Sequence, residues 1–130
     1  MVTIKVTTEK NKQVIDITHL LSAVAQEHEN GILQVFVRHT TCAIATADLD
    51  PGAEEDYMKA FEKIAPPLTY AHPHDPSHFN DHLLSTIIGT DLSIPVKSGA
   101  LTLGTWQKIV LFEFSGPRER EIVVNYIKEE

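Results

Sequence analysis

His72, His74, His78 and His82 all fall within YAHPHDPSHFNDH, residues 70–82, in a chain that has seven histidines altogether. Neutral imidazole is a good ligand for zinc and other transition ions, and the spacings suit it. His72 and His74 share a side if their piece is extended, and His78 and His82 share a face if a helix begins early. The competing reading is a solvated loop broken by Pro73 and Pro76. A second group is RHTTCA, residues 38–43, where His39 offers a base or ligand, Thr40 and Thr41 two hydroxyls, and Cys42 a thiol. A Cys42–His39 nucleophilic pair would need another group to orient the base, and near neighbours on a strand point apart. Sheet packing is the simpler expectation for Thr41 and Cys42. A third group lies in LGTWQKIVLFEFSGPRERE, where Trp106 and Gln107 precede an apolar strand and Arg118 and Arg120 flank a Gly-Pro turn. Arginine's planar fork suits phosphate or carboxylate. Core packing is expected for Trp106 and an ion pair with an acid for Arg120, which leaves Arg118 as the ligand-binding candidate.

These residues need elements to hold them. Val2, Ile4 and Val6 alternate with polar residues, and QVIDI repeats the pattern after EKNK, so a hairpin is expected. From Thr18, a plausible N-cap, the apolar positions take helical spacing through Leu20, Leu21, Val24 and Ala25, with Gly31 as the stop. ILQVFVRHT is a strand with Leu33, Val35 and Val37 on one face, Gln34, Phe36 and Arg38 on the other, and His39 on the valine side. CAIAT pairs with it or continues it. Asp50 and Pro51 open a second helix that runs to about Ile64 and stops at Pro66–Pro67. NDHLLSTII is a third helix ending at Gly89, and its apolar residues press His82 toward the core. LSIPV, ALTLG, QKIVLFEF and EIVVNYI supply further strands. His19 and His28 are expected at the surface. The class is α+β, with mainly antiparallel sheet and about three helices in one domain, residues 1–130.

Composition bounds the function. At 130 residues and 42% hydrophobic, the chain suits a single core. A net charge of -7 disfavours nucleic acid and anionic membranes as partners, while a local basic pocket for a small phosphorylated molecule remains compatible. No apolar run suits a membrane span or a signal peptide, so a cytoplasmic protein is expected. The one cysteine, Cys42, is expected as a packed small hydrophobe or a soft ligand.

The motifs RHTTCA, YAH, DHLLSTIIG, IPVKSGALTLGTWQ and EFSGPRER, taken in order from about Gly31 to Val124, resemble the YjbQ-like family, often called secondary thiamine-phosphate synthase. The resemblance implies a compact α+β fold, a homotrimer, and a histidine-lined pocket near subunit contacts, with a bound divalent metal (zinc or magnesium) or an anion. It also implies a weak ability to join hydroxymethylpyrimidine diphosphate and thiazole phosphate. On the matching positions, His39, His72 and His82 become metal ligands, and His39, Asp48 and Arg118 catalytic residues. Thr40, Thr41, Trp106, Gln107 and Arg118 become substrate-binding residues, whereas His74 and His78 match no family motif. Two positions depart from the pattern: Asp48 stands where a glutamate is usual, and Ser115 where an aspartate is usual. The alternative function is non-enzymatic binding of a metal or small anion.

Overall fold

The run KIVLFEF is apolar on both faces because the strand it forms is sandwiched. In the computed structural model, which describes residues 1–66, 71 and 78–130, that strand is β7, Lys108–Glu113. The other described strands are β1 Val2–Thr7, β2 Gln13–Asp16, β3 Gly31–Val37, β4 Cys42–Ala47, β5 Asp91–Lys97, β6 Ala100–Leu101 and β8 Glu119–Lys128. The described helices are α1 Thr18–Ala25, α2 Ala53–Ile64 and α3 Phe79–Ile88. The pairings are antiparallel, and they build a five-stranded sheet in the order β1-β8-β3-β5-β6 and a three-stranded sheet in the order β2-β7-β4. His72 and His74 lie outside the described residues.

Alternation along β7 separates two cores. Ile109 and Leu111 join Leu33, Val35, Val37, Ile122 and Val124 of the larger sheet, together with Leu21 and Ala25 of α1. Val110, Phe112 and Phe114 face the other way, against Phe61 of α2 and Leu84 of α3. The layers are therefore sheet, sheet, helices. Each fully buried aliphatic or aromatic side chain contributes about 1.5–3 kcal/mol, so the middle sheet anchors both sides.

The expected burial of Leu33, Val35 and Val37 is observed, with Phe36 exposed. The expected β1–β2 hairpin is not. β1 pairs with β8 in one sheet and β2 with β7 in the other, because residues 8–12 carry the chain between layers. β4 neither pairs with β3 nor continues it, but lies beside β7. Helix α1 ends at Ala25 and not near Gly31, which instead begins β3. Its N-cap is Ile17, one position before the expected Thr18, and Asp16 supports the first turn, its Oδ1 accepting from the Thr18 amide at 2.9 Å. The second helix starts after Gly52, at φ +89°, shortly beyond the Asp50–Pro51 signal.

Candidate functional site

Beyond Val37 the chain turns sharply out of the five-stranded sheet, and the imidazole of His39 lodges against β8. The Glu121 amide donates to His39 Nε2 at 2.8 Å. An amide can only donate there, so Nε2 keeps its lone pair and the neutral ring carries its proton on Nδ1. Burial, reinforced by the Arg120 charge, pushes the His39 pKa below its usual value and favours this neutral form.

Helix α3 supplies the facing histidine. His82 Nδ1 lies 3.1 Å from the Thr40 carbonyl, which only accepts, so Nδ1 carries the proton and the lone pair sits on Nε2. One turn on, Thr86 Oγ1 donates to the His82 carbonyl at 2.9 Å. Between the 38–40 turn and α3 opens a cleft of about 570 Å³, lined by Arg38, His39, Thr40, Ser85, Thr86 and Asp91 among others.

Beneath the turn is a buried polar network. Arg120 donates through Nε to Glu113 Oε2 at 2.8 Å and through Nη2 to Thr41 Oγ1 at 2.8 Å and to Glu113 Oε1. Thr8 Oγ1 donates to Glu113 Oε2 at 2.9 Å and accepts from the Arg118 amide at 2.8 Å. Burial opposes ionisation of Glu113, but the hydrogen bonds from Arg120, the Ser115 amide and Thr8 hold its carboxyl below the usual range. Arg120 thus has the ion pair expected of it, though in the core and not at the surface. Arg118 is exposed on the next turn, where its Nε donates to the Ser115 carbonyl at 2.6 Å. Cys42 is fully buried, and burial pushes its thiol up to about 11, which suits packing and not nucleophilic chemistry.

The remaining candidates stand at the opposite end of β4. Gln107 Nε2 reaches Thr46 Oγ1 at 3.4 Å and its Oε1 accepts from the Gly104 amide at 2.8 Å. The Asp48 carbonyl accepts from the Tyr57 hydroxyl at 2.8 Å. Trp106 is 72% exposed, against the expectation of core packing, because it rides a turn in which the Gln107 amide bonds the Gly104 carbonyl. At roughly 3.4 Å per residue, β4 separates the two groups by roughly 17 Å. One chain therefore brings His39, Thr40, Thr41 and His82 together and holds Asp48, Trp106 and Gln107 apart from them.

The donor set bears on a metal. Both rings carry the proton on Nδ1 and the lone pair on Nε2, but the His82 Nδ1–H is committed to a carbonyl in the manner of a metal ligand, whereas the His39 Nε2 lone pair is already taken by the Glu121 amide. Among the described residues no three histidine, cysteine, aspartate or glutamate side chains approach closely enough to hold an ion. The remaining expected ligand, His72, lies outside them. Residues that the sequence reading passed over are Glu113, Thr8, and Lys12, whose Nζ bonds Asp81 Oδ1 at 2.6 Å. An acid inside an apolar run was the available signal for Glu113. His28, expected at the surface, is half-buried and stacks on Tyr126 with ring centroids 3.9 Å apart.

Comparison with known proteins covers nearly the whole chain. The family described as "UPF0047 protein YjbQ-like" matches residues 2–129. A UPF0047 protein of Archaeoglobus fulgidus is 37% identical over 118 residues, covering 90% of this chain and 93% of that protein. YugU of Bacillus subtilis, also a UPF0047 protein, is 32% identical over 91% of this chain and 92% of its own length. A crystal structure of a protein of unknown function from Sulfolobus solfataricus superposes with a TM-score of 0.90 at 33% identity, covering 98% of this chain and 95% of that one. One from Clostridium acetobutylicum gives 0.87 at 31% identity, covering 98% and 100%.

Proposed function

This chain belongs to the YjbQ-like UPF0047 family, and from that premise we propose that the cleft beside His39 takes a small phosphorylated molecule. The observation that carries the reading is the His39 tautomer: Nε2 accepts the Glu121 amide, so Nδ1–H is a donor. Beside it in the cleft are the Arg38 guanidinium, held 3.5 Å from Glu121, and the hydroxyls of Thr40 and Ser85, facing one carboxylate, Asp91. Such a surface favours an anion.

The reaction we propose is a weak condensation of hydroxymethylpyrimidine diphosphate with thiazole phosphate. The bond from the pyrimidine methylene carbon to the diphosphate oxygen breaks, pyrophosphate leaves with the electron pair, and the thiazole nitrogen forms the new bond. Arg118 and Arg38 neutralise charge on the leaving group, Trp106 stacks on a ring and Gln107 orients it, and Asp48 supplies the catalytic carboxylate. A divalent ion at His82 Nε2 and His72 would supply further charge neutralisation, and no step is assigned to it. Because Asp48, Trp106 and Gln107 stand the length of β4 from His39, the complete site draws them from a neighbouring copy in a homotrimer.

A second reading, non-enzymatic anion or metal binding, is favoured by one observation: the lone pair of His39 is already committed to the Glu121 amide, which leaves no base there. The experiment is a phosphate and pyrophosphate titration of untagged protein and its His39→Ala and Arg118→Ala variants, with metal content and a synthase assay on the same samples. Each variant is expected to bind pyrophosphate at least about tenfold more weakly, the cost of one good charge-assisted hydrogen bond. Unchanged pyrophosphate affinity in His39→Ala would remove the cleft as the site. Binding without turnover decides for the second reading.

A further inference from the structure

The two walls of the His39 cleft differ in polarity. One is the 38–40 turn, with the Arg38 guanidinium and the His39 Nδ1–H. The other is the end of α3 and the start of β5, with Ser85, Gly89, Thr90 and Asp91. Helix α3 ends at Ile88, so its last carbonyls lack the amides of a further turn and give this wall a partial negative charge. Asp91 adds a full one.

Backbone bonds to three neighbours fix the second wall. The Gly89 amide donates to the Ser85 carbonyl at 2.9 Å, the Val37 amide of β3 to the Thr90 carbonyl at 2.8 Å, and the Ile44 amide of β4 to the Gly89 carbonyl at 3.0 Å. Its side chains are uncommitted. Arg38 pairs with Glu121 at 3.5 Å, and among the described residues Asp91 has neither an ion pair nor a hydrogen bond. Ser85 is only 3% exposed, yet its hydroxyl has no hydrogen bond among the described residues, where buried hydroxyls nearly always have one. The only unpaired side-chain polar atom without accessible surface among those residues is Asn80 Oδ1, so the Ser85 hydroxyl keeps an opening, and it lines this cleft.

A ligand that suits both walls carries opposite charges at its two ends. The free end of a simple anion would face Asp91 and the helix terminus, whereas the N–H groups of an ammonium would find a carboxylate there. Resting on the reading of this cleft as a phosphate site, we infer that its ligand is a free phosphomonoester with a primary amine, a short aminoalkyl phosphate. The phosphoryl group takes the His39 Nδ1–H, Arg38 and the Ser85 hydroxyl, and the ammonium donates to Asp91. Arg38 can serve without leaving Glu121, because a guanidinium has several N–H donors.

Propyl phosphate and phosphoethanolamine have the same length and differ in a methyl group against an ammonium. Calorimetric titration of the full chain near neutral pH is expected to show phosphoethanolamine binding about tenfold more tightly, the worth of one charge-assisted hydrogen bond. In Asp91→Asn the two should bind alike, propyl phosphate gaining affinity as repulsion is removed and phosphoethanolamine losing it. Ser85→Ala should weaken both by a common factor and preserve their ratio. Vesicles of phosphatidylcholine with and without phosphatidylethanolamine separate a free monoester from a lipid headgroup, and the chain should sediment with neither. Equal affinity of the two probes for the wild type, with both lost in His39→Ala, would overturn this inference and leave the phosphate site standing. Probes that bind His39→Ala as well as wild type, or that fail to bind wild type at millimolar concentration, would end the phosphate reading and this inference with it. A tenfold preference that survives Asp91→Asn, a Ser85→Ala variant with unchanged affinities, or sedimentation with the ethanolamine vesicles would also overturn it.

Discussion

Arg120 reaches under the 38–41 turn from β8 and ties together three segments far apart in sequence: Thr41, Glu113 and, through Glu113, Thr8. Both Arg120 and Glu113 are fully buried, so removing either leaves the other charged and without its partner. Arg120→Met is expected to cost about 3–5 kcal/mol, and adding Glu113→Leu should recover much of that loss, because an apolar pair replaces a desolvated ionic one. Urea unfolding of the two variants would measure the difference, and a double variant no better than the single one would refute the account. Two pH windows follow from the same neighbourhood. Glu113 has its folded pKa below the unfolded carboxylate value, so its stabilisation is present above about pH 4.3 and is lost as pH falls through the folded value. His39 is also depressed, so the stability it contributes is present above about pH 6.5 and declines as pH falls toward its folded pKa. His39→Gln, whose amide oxygen can still accept the Glu121 N–H, should flatten the fall in thermal midpoint between pH 7 and 5. At this scale the sequence disclosed residue types but not their partners: Glu113 in KIVLFEF and Arg120 in GPRER are seven positions apart, and only the fold shows that they meet.

Elements were more legible than their partnerships. Period-two alternation tells which face of β3 is buried, but it does not reach His39, because the strand ends at Val37 and His39 lies in the turn beyond it. It says nothing of which strand lies alongside. That is why VTIKVT and QVIDI read as a hairpin although the two strands belong to different sheets, and why CAIAT was set beside β3 and not β7. The three helices were readable from their spacing and their stops, and the errors lay in their first and last turns, where α1 and α2 take Ile17 and Gly52 as N-caps, neither with a capping side chain. One glycine has a role that spacing could not reveal. Gly31 begins β3 opposite Lys128, and a Cβ there would stand 2.7 Å from Tyr126 Cε2 and collide with the Ile127 carbonyl. Gly31→Ala therefore cannot be absorbed by turning a side chain, since a backbone oxygen is in the way. The expected loss is about 1–3 kcal/mol, the usual range for overpacking a closed site. Amide hydrogen exchange should show the cost concentrated at the β3–β8 end near Ile32 and Ile127; uniform destabilisation, or none, would contradict it.

At the scale of the whole molecule, the five-stranded sheet covers the inner core with one face and leaves the other to solvent. That outer face is not polar throughout. Ile32 pairs across to Ile127 on one side and Pro95 on the other, and Phe36 pairs with Val123, so apolar side chains make two patches on that face, separated by the polar row Ser93, Gln34 and Asn125. Ile32, Phe36 and Ile127 are 40%, 45% and 54% exposed. Exposed apolar patches around a narrow polar row, on a chain of net charge -7, are the kind of surface that marks a protein contact. The division of the proposed site points to the same conclusion, since His39 and Trp106 can act on one ligand only if a second copy supplies one of them. The homotrimer proposed above would bury these patches and complete three sites by the same closure. Phe36→Glu with Ile127→Glu should then lower the light-scattering mass from three chains to one and weaken pyrophosphate binding, although neither residue belongs to the polar site. A mixture of His39→Ala and Trp106→Ala proteins, unfolded and refolded together, should regain part of the binding that each has lost alone, because some sites then draw both intact residues from different chains. A wild type that scatters as a stable monomer and still binds pyrophosphate at full affinity would end the shared-site proposal and leave the His39 cleft as a site complete within one chain.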